Sequence, residues 1–356
     1  MNEGKALLTD MTLIELAAYI KVLGGQDYRA RQINDWLVKG CDFDEMGNLP
    51  RELISRLKAA AAAQPARVLE RHVSSNDGTE KLLFGFADGH CVEGVLMRYR
   101  HGITLCLSTQ VGCRMGCAFC ASTLQGRQRD LSAGEMLGMA YTANRLVMPD
   151  KVSNIVLMGS GEPLDNYAQV IRFLRLVSSP DSLNIGLRHI SLSTCGMTDG
   201  IMKLAGEGLP VTLSISLHAP NDAIRRKLMP VASAYPMEGL LEACRYYLKK
   251  TGRRIIFEYA LIRGVNDRTE HARELADRLR GMQCHVNLIP LNDVPERELE
   301  ATGKAEVQLF YGELNRLGIS VTVRRQLGDD IAGACGQLRA QHLKTPLVPD
   351  GSGEGP

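Results

Sequence analysis

Leu105-Cys-Leu-Ser-Thr-Gln-Val-Gly-Cys113-Arg-Met-Gly-Cys117-Ala-Phe-Cys120 runs from an apolar stretch into three cysteines within eight residues. Ile103–Thr109 reads as a buried strand, so the three thiols fall in the loop at its carboxyl end. Parallel α/β folds deliver their functional groups at such ends. Soft thiolates suit an iron–sulfur cluster or zinc. A cubane cluster has four irons, so Cys113, Cys117 and Cys120 leave one open to a ligand, as a catalytic site requires. A closed zinc site would need a fourth donor, for which Cys106 or His101 is available.

Outward from this loop the pattern is regular. Further strands read at Asn154–Gly159, His189–Cys195, Val211–Leu217, Arg254–Ile262 and His285–Leu291, with helical stretches between them. Ser132-x-x-Glu135 is a capping box for one helix, and Asp165 is placed to cap the next. Pro236–Lys250 reads as a third helix, ended by Gly252. Lys304–Leu317 reads as the last, before a strand-like Ser320–Arg325. Apolar strands alternating with helices predict a parallel sheet, either an open doubly wound sheet or a partial (β/α) barrel.

Before residue 100 the character changes. Thr12–Leu23, Tyr28–Val38 and Arg51–Ala63 carry helical periodicity, and Pro65 ends the last. Glu80–Phe86 and His90–Tyr99 read as strands around the turn Ala87-Asp88-Gly89. The expected organisation is a helical accessory domain (1–64), a linking β-segment (65–98), a core (99–340) and a disordered tail (341–356).

The chain of 356 residues has a net charge of only +2, which neither requires nor excludes nucleic acid. Basic residues cluster at Arg225–Lys227, at Lys249, Lys250, Arg253 and Arg254, and at Arg324 and Arg325. Any one cluster reads as a solvated face; together they leave room for phosphate contacts. No run has the length of a membrane span, and no signal-peptide core precedes Asp10. The expectation is a cytoplasmic protein, where ten cysteines are not a disulfide framework and clustered ones indicate metal or redox catalysis. Cys41, Cys91, Cys195, Cys244 and Cys284 read as small apolar core residues. Cys335 stands apart, in the Gly-rich Gly328-Asp-Asp-Ile-Ala-Gly-Ala-Cys-Gly-Gln337.

C-x3-C-x2-C with Phe119 before the last cysteine resembles the radical S-adenosylmethionine superfamily, and Met158-Gly-Ser-Gly-Glu-Pro163 resembles its glycine-rich stretch that holds the methionine amino group. Thr104–Arg339 is similar to the RlmN/Cfr family of rRNA adenine methyltransferases. The similarity lies in Leu105–Cys113, Gly161-Glu-Pro-Leu164, Leu192-Ser-Thr194, Ser216-Leu-His-Ala-Pro-Asn221, Gly264-Val-Asn-Asp267, Asn287-Leu-Ile-Pro290 and Asp330–Leu338. Tyr28-Arg-Ala-Arg-Gln-Ile-Asn-Asp-Trp36 looks like the accessory domain of the RlmN branch. Ser160 departs from the pattern, which has Met before Gly-Glu-Pro.

The resemblance implies a partial (β/α)6 radical-SAM barrel with a small N-terminal helical accessory domain and a short linking β-segment. It implies a [4Fe-4S] cluster on Cys113, Cys117 and Cys120. It also implies two S-adenosylmethionines per turnover, contacted by Gly161, Glu162, Ser193, Ser216, Leu217, His218 and Asn292. In this family one S-adenosylmethionine methylates Cys335, and the radical from a second removes hydrogen from that methyl group. The carbon then adds to the adenine, and Cys106 resolves the thioether, leaving a Cys106–Cys335 disulfide for reductants to reopen. Glu93 matches the proposed proton acceptor; on its strand alone it would read as a solvent-facing residue. His218 alone would read as a hydrogen-bonded strand-end histidine, and Asn266 and Asp267 as turn residues.

The implied partners are 23S rRNA, tRNA and an electron donor such as flavodoxin or ferredoxin, with the protein a monomer. C2 of adenine is the expected target. The rivals are the C8-methylating Cfr branch, a glycyl-radical activase, which has no need of Cys335, and a zinc-bearing RNA-binding module.

Overall fold

The computed structural model describes residues 5–291, 298–331 and 338. The N-terminal part comprises β1 (Ala6–Leu7), α1 (Leu13–Val22), α2 (Arg29–Val38), α3 (Arg51–Ala60) and β2 (Ala61–Ala62). Thr12 caps α1 in a reciprocal box: its hydroxyl accepts from Glu15 N at 3.2 Å, while Thr12 N donates to the Glu15 carboxylate at 2.7 Å. These helices dock on the core through specific polar contacts. Arg172 reaches Glu15 at 2.8 Å, Arg31 reaches Asp181 at 3.1 Å, and Thr9 Oγ1 donates to Gly134 O at 2.8 Å. One hydrophobic core is continuous from Leu8 through the helices to Val321.

Next come β3 (Arg67–Val73), β4 (Glu80–Gly85), β5 (Cys91–Tyr99), β6 (Gly102–Leu107), β7 (Gln110–Gly112), β8 (Arg127–Asp130), α4 (Ala133–Leu146) and β9 (Val152–Leu157). After them run α5 (Tyr167–Val177), β10 (Ile190–Thr194), α6 (Thr198–Gly206), β11 (Thr212–Ser216), α7 (Asp222–Leu228), α8 (Met237–Thr251) and β12 (Ile255–Leu261). The chain continues with α9 (Thr269–Leu279), β13 (Cys284–Pro290), α10 (Lys304–Arg316) and β14 (Val321–Val323). No described helix is long and apolar enough to cross a membrane.

Ten strands form one sheet in the order β14-β13-β12-β11-β10-β9-β6-β5-β4-β3. From β6 to β14 every pair is parallel; from β3 to β6 every pair is antiparallel. The parallel order never reverses, so the sheet has no doubly wound switch point. This decides between the two architectures left open by the sequence: the strands wind in one sense and the helices cover one face, as in a partial barrel. The polar edge strand β3 was not foreseen, because Arg-Val-Leu-Glu-Arg-His-Val carries no apolar run.

Paired residues on neighbouring strands share a face, and the register separates two surfaces. Leu105, Ile155 and Ile190 form one row, and Phe257, Val286 and Val321 lie in another; this face packs under the helices. The opposite face carries the row Lys81, Val95, Cys106, Val156, Ser191 and Thr212. The row Ser216, Glu258, Asn287 and Thr322 shares that face. It is the polar inner surface of the barrel.

Ser132 caps α4 as expected, its hydroxyl accepting from Glu135 N at 3.1 Å. Asp165 does not cap α5; Asn166 occupies that position without a side-chain cap. Asp165 is instead drawn to Arg114 in the cysteine loop and accepts from Gln110 Nε2 at 3.0 Å. Burial works to raise its carboxyl, but Arg114 and Gln110 outweigh it and hold Asp165 below the usual range.

Candidate active site

The antiparallel ribbon β7–β8 brackets the cysteine loop, and Arg114 ties that loop to Asp165 beyond the glycine-rich turn. A cavity of ≈ 270 Å³ lies at the carboxyl ends of the parallel strands. Cys113, Cys117, Cys120, Gly161, Glu162, Ser193, Ser216 and His218 are among its walls. The structure thus brings together all three expected cluster ligands and five of the seven residues expected to contact S-adenosylmethionine. The Leu217 side chain is buried in the main core, and its backbone N donates to Glu258 O at 3.1 Å. Asn292 and Cys335 lie outside the described residues, as does the tail 341–356.

Burial pushes the Cys113 thiol up to about 12, with Cys120, Glu162 and Asp165 adding to it; Cys117 is raised further, by burial and then by the other two thiols. Thiols this dry and this close resist ionisation alone, whereas soft cations offset that cost. Among the described residues, no three His, Cys, Asp or Glu side chains gather round a single point as one metal ion would need. A cubane spreads its cysteines over different irons, so the donor set fits a [4Fe-4S] cluster better than a closed zinc site. His101, a candidate fourth zinc donor, stands in the turn before β6, about 20 Å of strand from the loop.

The glycine-rich turn is built for close approach. Gly161 has φ +112°, and a Cβ there would lie 2.7 Å from Thr109 Oγ1 and 2.8 Å from Gln110 N. Both Glu162 oxygens are taken by backbone amides: Leu164 N donates at 3.0 Å and Cys195 N at 2.7 Å. The side chain therefore staples β9's exit to β10's exit. Burial raises its carboxyl and these amides oppose the rise. Ser193 and Ser216 face each other with hydroxyls 3.5 Å apart.

His218 has φ 52°, and its ring is edge-on to Phe119 at 4.7 Å. Its Nδ1 accepts from Ala260 N at 2.9 Å. A backbone amide only donates, so the neutral ring carries its proton on Nε2. Burial, then Arg225, pushes its pKa down to about 3, which keeps the ring neutral. Asn266 does sit in a turn, yet it is wholly buried. Its amide donates to His218 O at 2.8 Å and Ala260 O at 2.7 Å, and its Oδ1 accepts from Ile262 N at 2.7 Å.

Sequence reading did not place Glu258 or Arg324 in the site, yet both line the cavity. Glu258 was open to detection, as a carboxylate within the apolar run Ile255–Leu261. It is 4% exposed, and Asn287 Nδ2 donates to its Oε1 at 3.2 Å. Burial raises its carboxyl, while Arg324 and Asn287 oppose this. Cys195 is buried as expected, but in the cavity wall. Arg225 is wholly buried and donates to Cys195 O and Tyr235 O, so that member of the basic cluster is no solvated or phosphate-facing cation.

Cys106 is 5% exposed, packed with Val95 and Met97 and flanked by Val156, Met158 and Leu327. Glu93 is not solvent-facing: it is 4% exposed and ion-paired to the fully buried Lys81 at 3.3 Å. Its strand is covered on both faces, so alternation did not give exposure. Leu338, three residues after Cys335 in sequence, packs against Leu83 and Cys91 on β4 and β5.

Residues 107–276 match the radical SAM superfamily model, and residues 7–63 match that of the ribosomal RNA large subunit methyltransferase N-terminal domain. A Clostridium beijerinckii protein described as a probable dual-specificity RNA methyltransferase RlmN is 49% identical over 96% of this chain and 97% of its own. A Thermoanaerobacter protein of the same description is 50% identical over 95% and 98%. The crystal structure of a radical SAM methyltransferase from Sphaerobacter thermophilus superposes with a TM-score of 0.90. It is 42% identical, covering 93% of this chain and 98% of that one. The chain belongs to the RlmN/Cfr family of radical S-adenosylmethionine RNA methyltransferases, on its RlmN side.

Proposed function

We propose that the protein methylates C2 of an adenosine in the peptidyl-transferase region of 23S rRNA, and of the adenosine following the anticodon in tRNA. The observation that carries this reading is the single cavity walled by three thiols, the Gly159–Pro163 turn and the Ser193, Ser216 and His218 ends of successive strands. Cys113, Cys117 and Cys120 would hold the [4Fe-4S] cluster, and Gly161, Glu162, Ser193, Ser216, Leu217 (through its backbone), His218 and Asn292 would hold S-adenosylmethionine, two per turnover. When bound, these groups supply a reducing electron, a transferable methyl group and a source of a carbon radical.

The chain's own residues would do the rest. Cys335 carries the methyl carbon as a thioether, Cys106 attacks that sulfur to release the product, and the resulting disulfide is reopened by reductants. Glu93 accepts the proton lost from the ring carbon. Neutral His218 offers an Nε2–H donor to the cavity, and its ring keeps Phe119 of the cysteine loop in place. Support for C2 over C8 comes from the matched N-terminal domain and the RlmN-described relatives. That domain, residues 1–64, would contact RNA, with 65–98 linking it to the 99–340 core. A flavodoxin or ferredoxin would supply electrons to a cytoplasmic monomer.

The test is anaerobic reconstitution with iron and sulfide, followed by reductant, S-adenosylmethionine and unmodified 23S rRNA fragment, with nucleosides identified by mass spectrometry. 2-Methyladenosine is expected; 8-methyladenosine alone overturns the position. Cys335→Ala should retain the cluster and lose methylation, and full activity in that variant excludes the thioether route.

A further inference from the structure

Lys81 is the most deeply buried lysine among the described residues, at 0% exposure, and it sits within strand β4. Its Nζ lies 3.3 Å from the Glu93 carboxylate. The register places it in the cross-strand row Lys81–Val95–Cys106, on the inner face of the sheet. Glu93 pairs with Leu83, one step along that face, and Ser108 Oγ donates to Glu93 O at 2.8 Å, fixing the backbone that carries the carboxylate. A lysine is costly to bury, and an apolar residue of similar length would pack the strand without that cost. What an apolar residue cannot do is supply a counter-charge to a neighbouring carboxylate.

We propose that Lys81 is the positioning residue for the proton acceptor: its ammonium holds the Glu93 carboxylate on the Cys106 face of the sheet. The inference rests on the reading of Glu93 as the acceptor. Arg98 is excluded from the role, because its ion pairs are with Glu80 at 3.4 Å and Asp150 at 3.6 Å. Removing Lys81 takes away the ammonium 3.3 Å from the Glu93 carboxylate, and with it the contact that holds that side chain on the Cys106 face.

The experiment uses reconstituted holoenzyme with the rRNA fragment, and counts 5′-deoxyadenosine and methyladenosine in the same reaction. Lys81→Met should lower methyladenosine about a hundred-fold, the scale of a general base. Iron–sulfur absorption and 5′-deoxyadenosine should stay within about threefold of wild type, so that the two products uncouple. Lys81→Arg, which keeps the charge, should restore most of the coupling. A proportional fall in both products, or wild-type methylation by Lys81→Met, overturns the proposal.

Glu93→Gln separates the two readings. Undiminished methylation in that variant removes Glu93 as acceptor. Impaired Glu93→Gln beside unimpaired Lys81→Met removes only the role of Lys81. Should Lys81→Met fold poorly, adding it to Glu93→Gln removes both charges together. The double variant should then methylate no worse than Glu93→Gln, and a second full loss would overturn the proposal.

Discussion

The parallel strands and the antiparallel arm meet in one sheet but furnish the site differently. In the parallel half, β6, β9, β10 and β11 lead into the cavity, and the functional groups named for it sit at those ends or just past them. These are the three cysteines after β6, the Gly159–Pro163 turn after β9, Ser193, Ser216, and His218 after β11. In the antiparallel half the groups come from strand interiors: Lys81 in β4, Glu93 in β5, and Cys106 in β6, the strand shared by both. A loop can be shaped around a cofactor by local hydrogen bonds, as Glu162 shapes its own. A strand interior cannot be reshaped without moving its ladder, so groups there are held by register and by one another. The comparison teaches that the cysteine and glycine-rich end is locally built, while the proposed base Glu93 and releasing thiol Cys106 depend on the whole sheet.

The most drastic way to break this comparison is Cys117→Ala. It should abolish the brown iron–sulfur absorption and all 5′-deoxyadenosine formation while leaving the antiparallel arm folded, as checked by circular dichroism of the apoprotein. Asn266→Ala comes next. It removes three buried hydrogen bonds that join the exits of β11 and β12, and should cost about 3 kcal/mol in denaturant unfolding. Because His218 O loses its partner, the loss should fall on the cofactor end.

Gly94→Ala probes the other half. A Cβ there would lie 2.8 Å from the Phe84 ring and 3.3 Å from Cys106 O. Overpacking of this kind should cost about 1–3 kcal/mol. Methylation should fall more than 5′-deoxyadenosine formation, since Glu93 and Cys106 flank the strain. Equal loss of both products would show that the two halves do not separate.

A further effect, small near neutral pH, is expected in pH dependence. His218 is depressed to about 3 in the fold against 6.5 when unfolded, so below pH 6.5 the unfolded chain binds the extra proton. Stability should therefore fall as the pH drops from 6.5 toward 3, by about 2 kcal/mol at pH 5. His218→Gln should remove that slope. Glu162 and Glu258, both raised by burial, tilt stability the opposite way. Taking the difference between wild type and variant in apoprotein unfolding curves cancels them. An unchanged slope would mean the imidazole is hydrated.

Much of this was readable from residues alone. The capping box at Ser132 announced its helix because a side chain bonding its neighbours' backbone is a local event. The apolar runs located the core strands to within a few residues, and the thiol spacing located the cluster loop. Glu93 and Lys81 were not readable in the same way. A charged residue in an alternating strand normally faces water, and only the covering of β4 and β5 on both faces reverses that. Asp165 was assigned to a cap on local grounds and lost to Arg114, 51 residues away in sequence.

The sequence by itself determined the apolar strands and main helices, the cysteine loop and the family, since each depends on residues close together in the chain. Only the tertiary structure decided that the sheet winds in one sense, which face of each strand lines the cavity, and that Lys81, Glu93 and Cys106 share one surface. Those outcomes depend on register between strands, where a shift of one residue would turn every side chain to the opposite face.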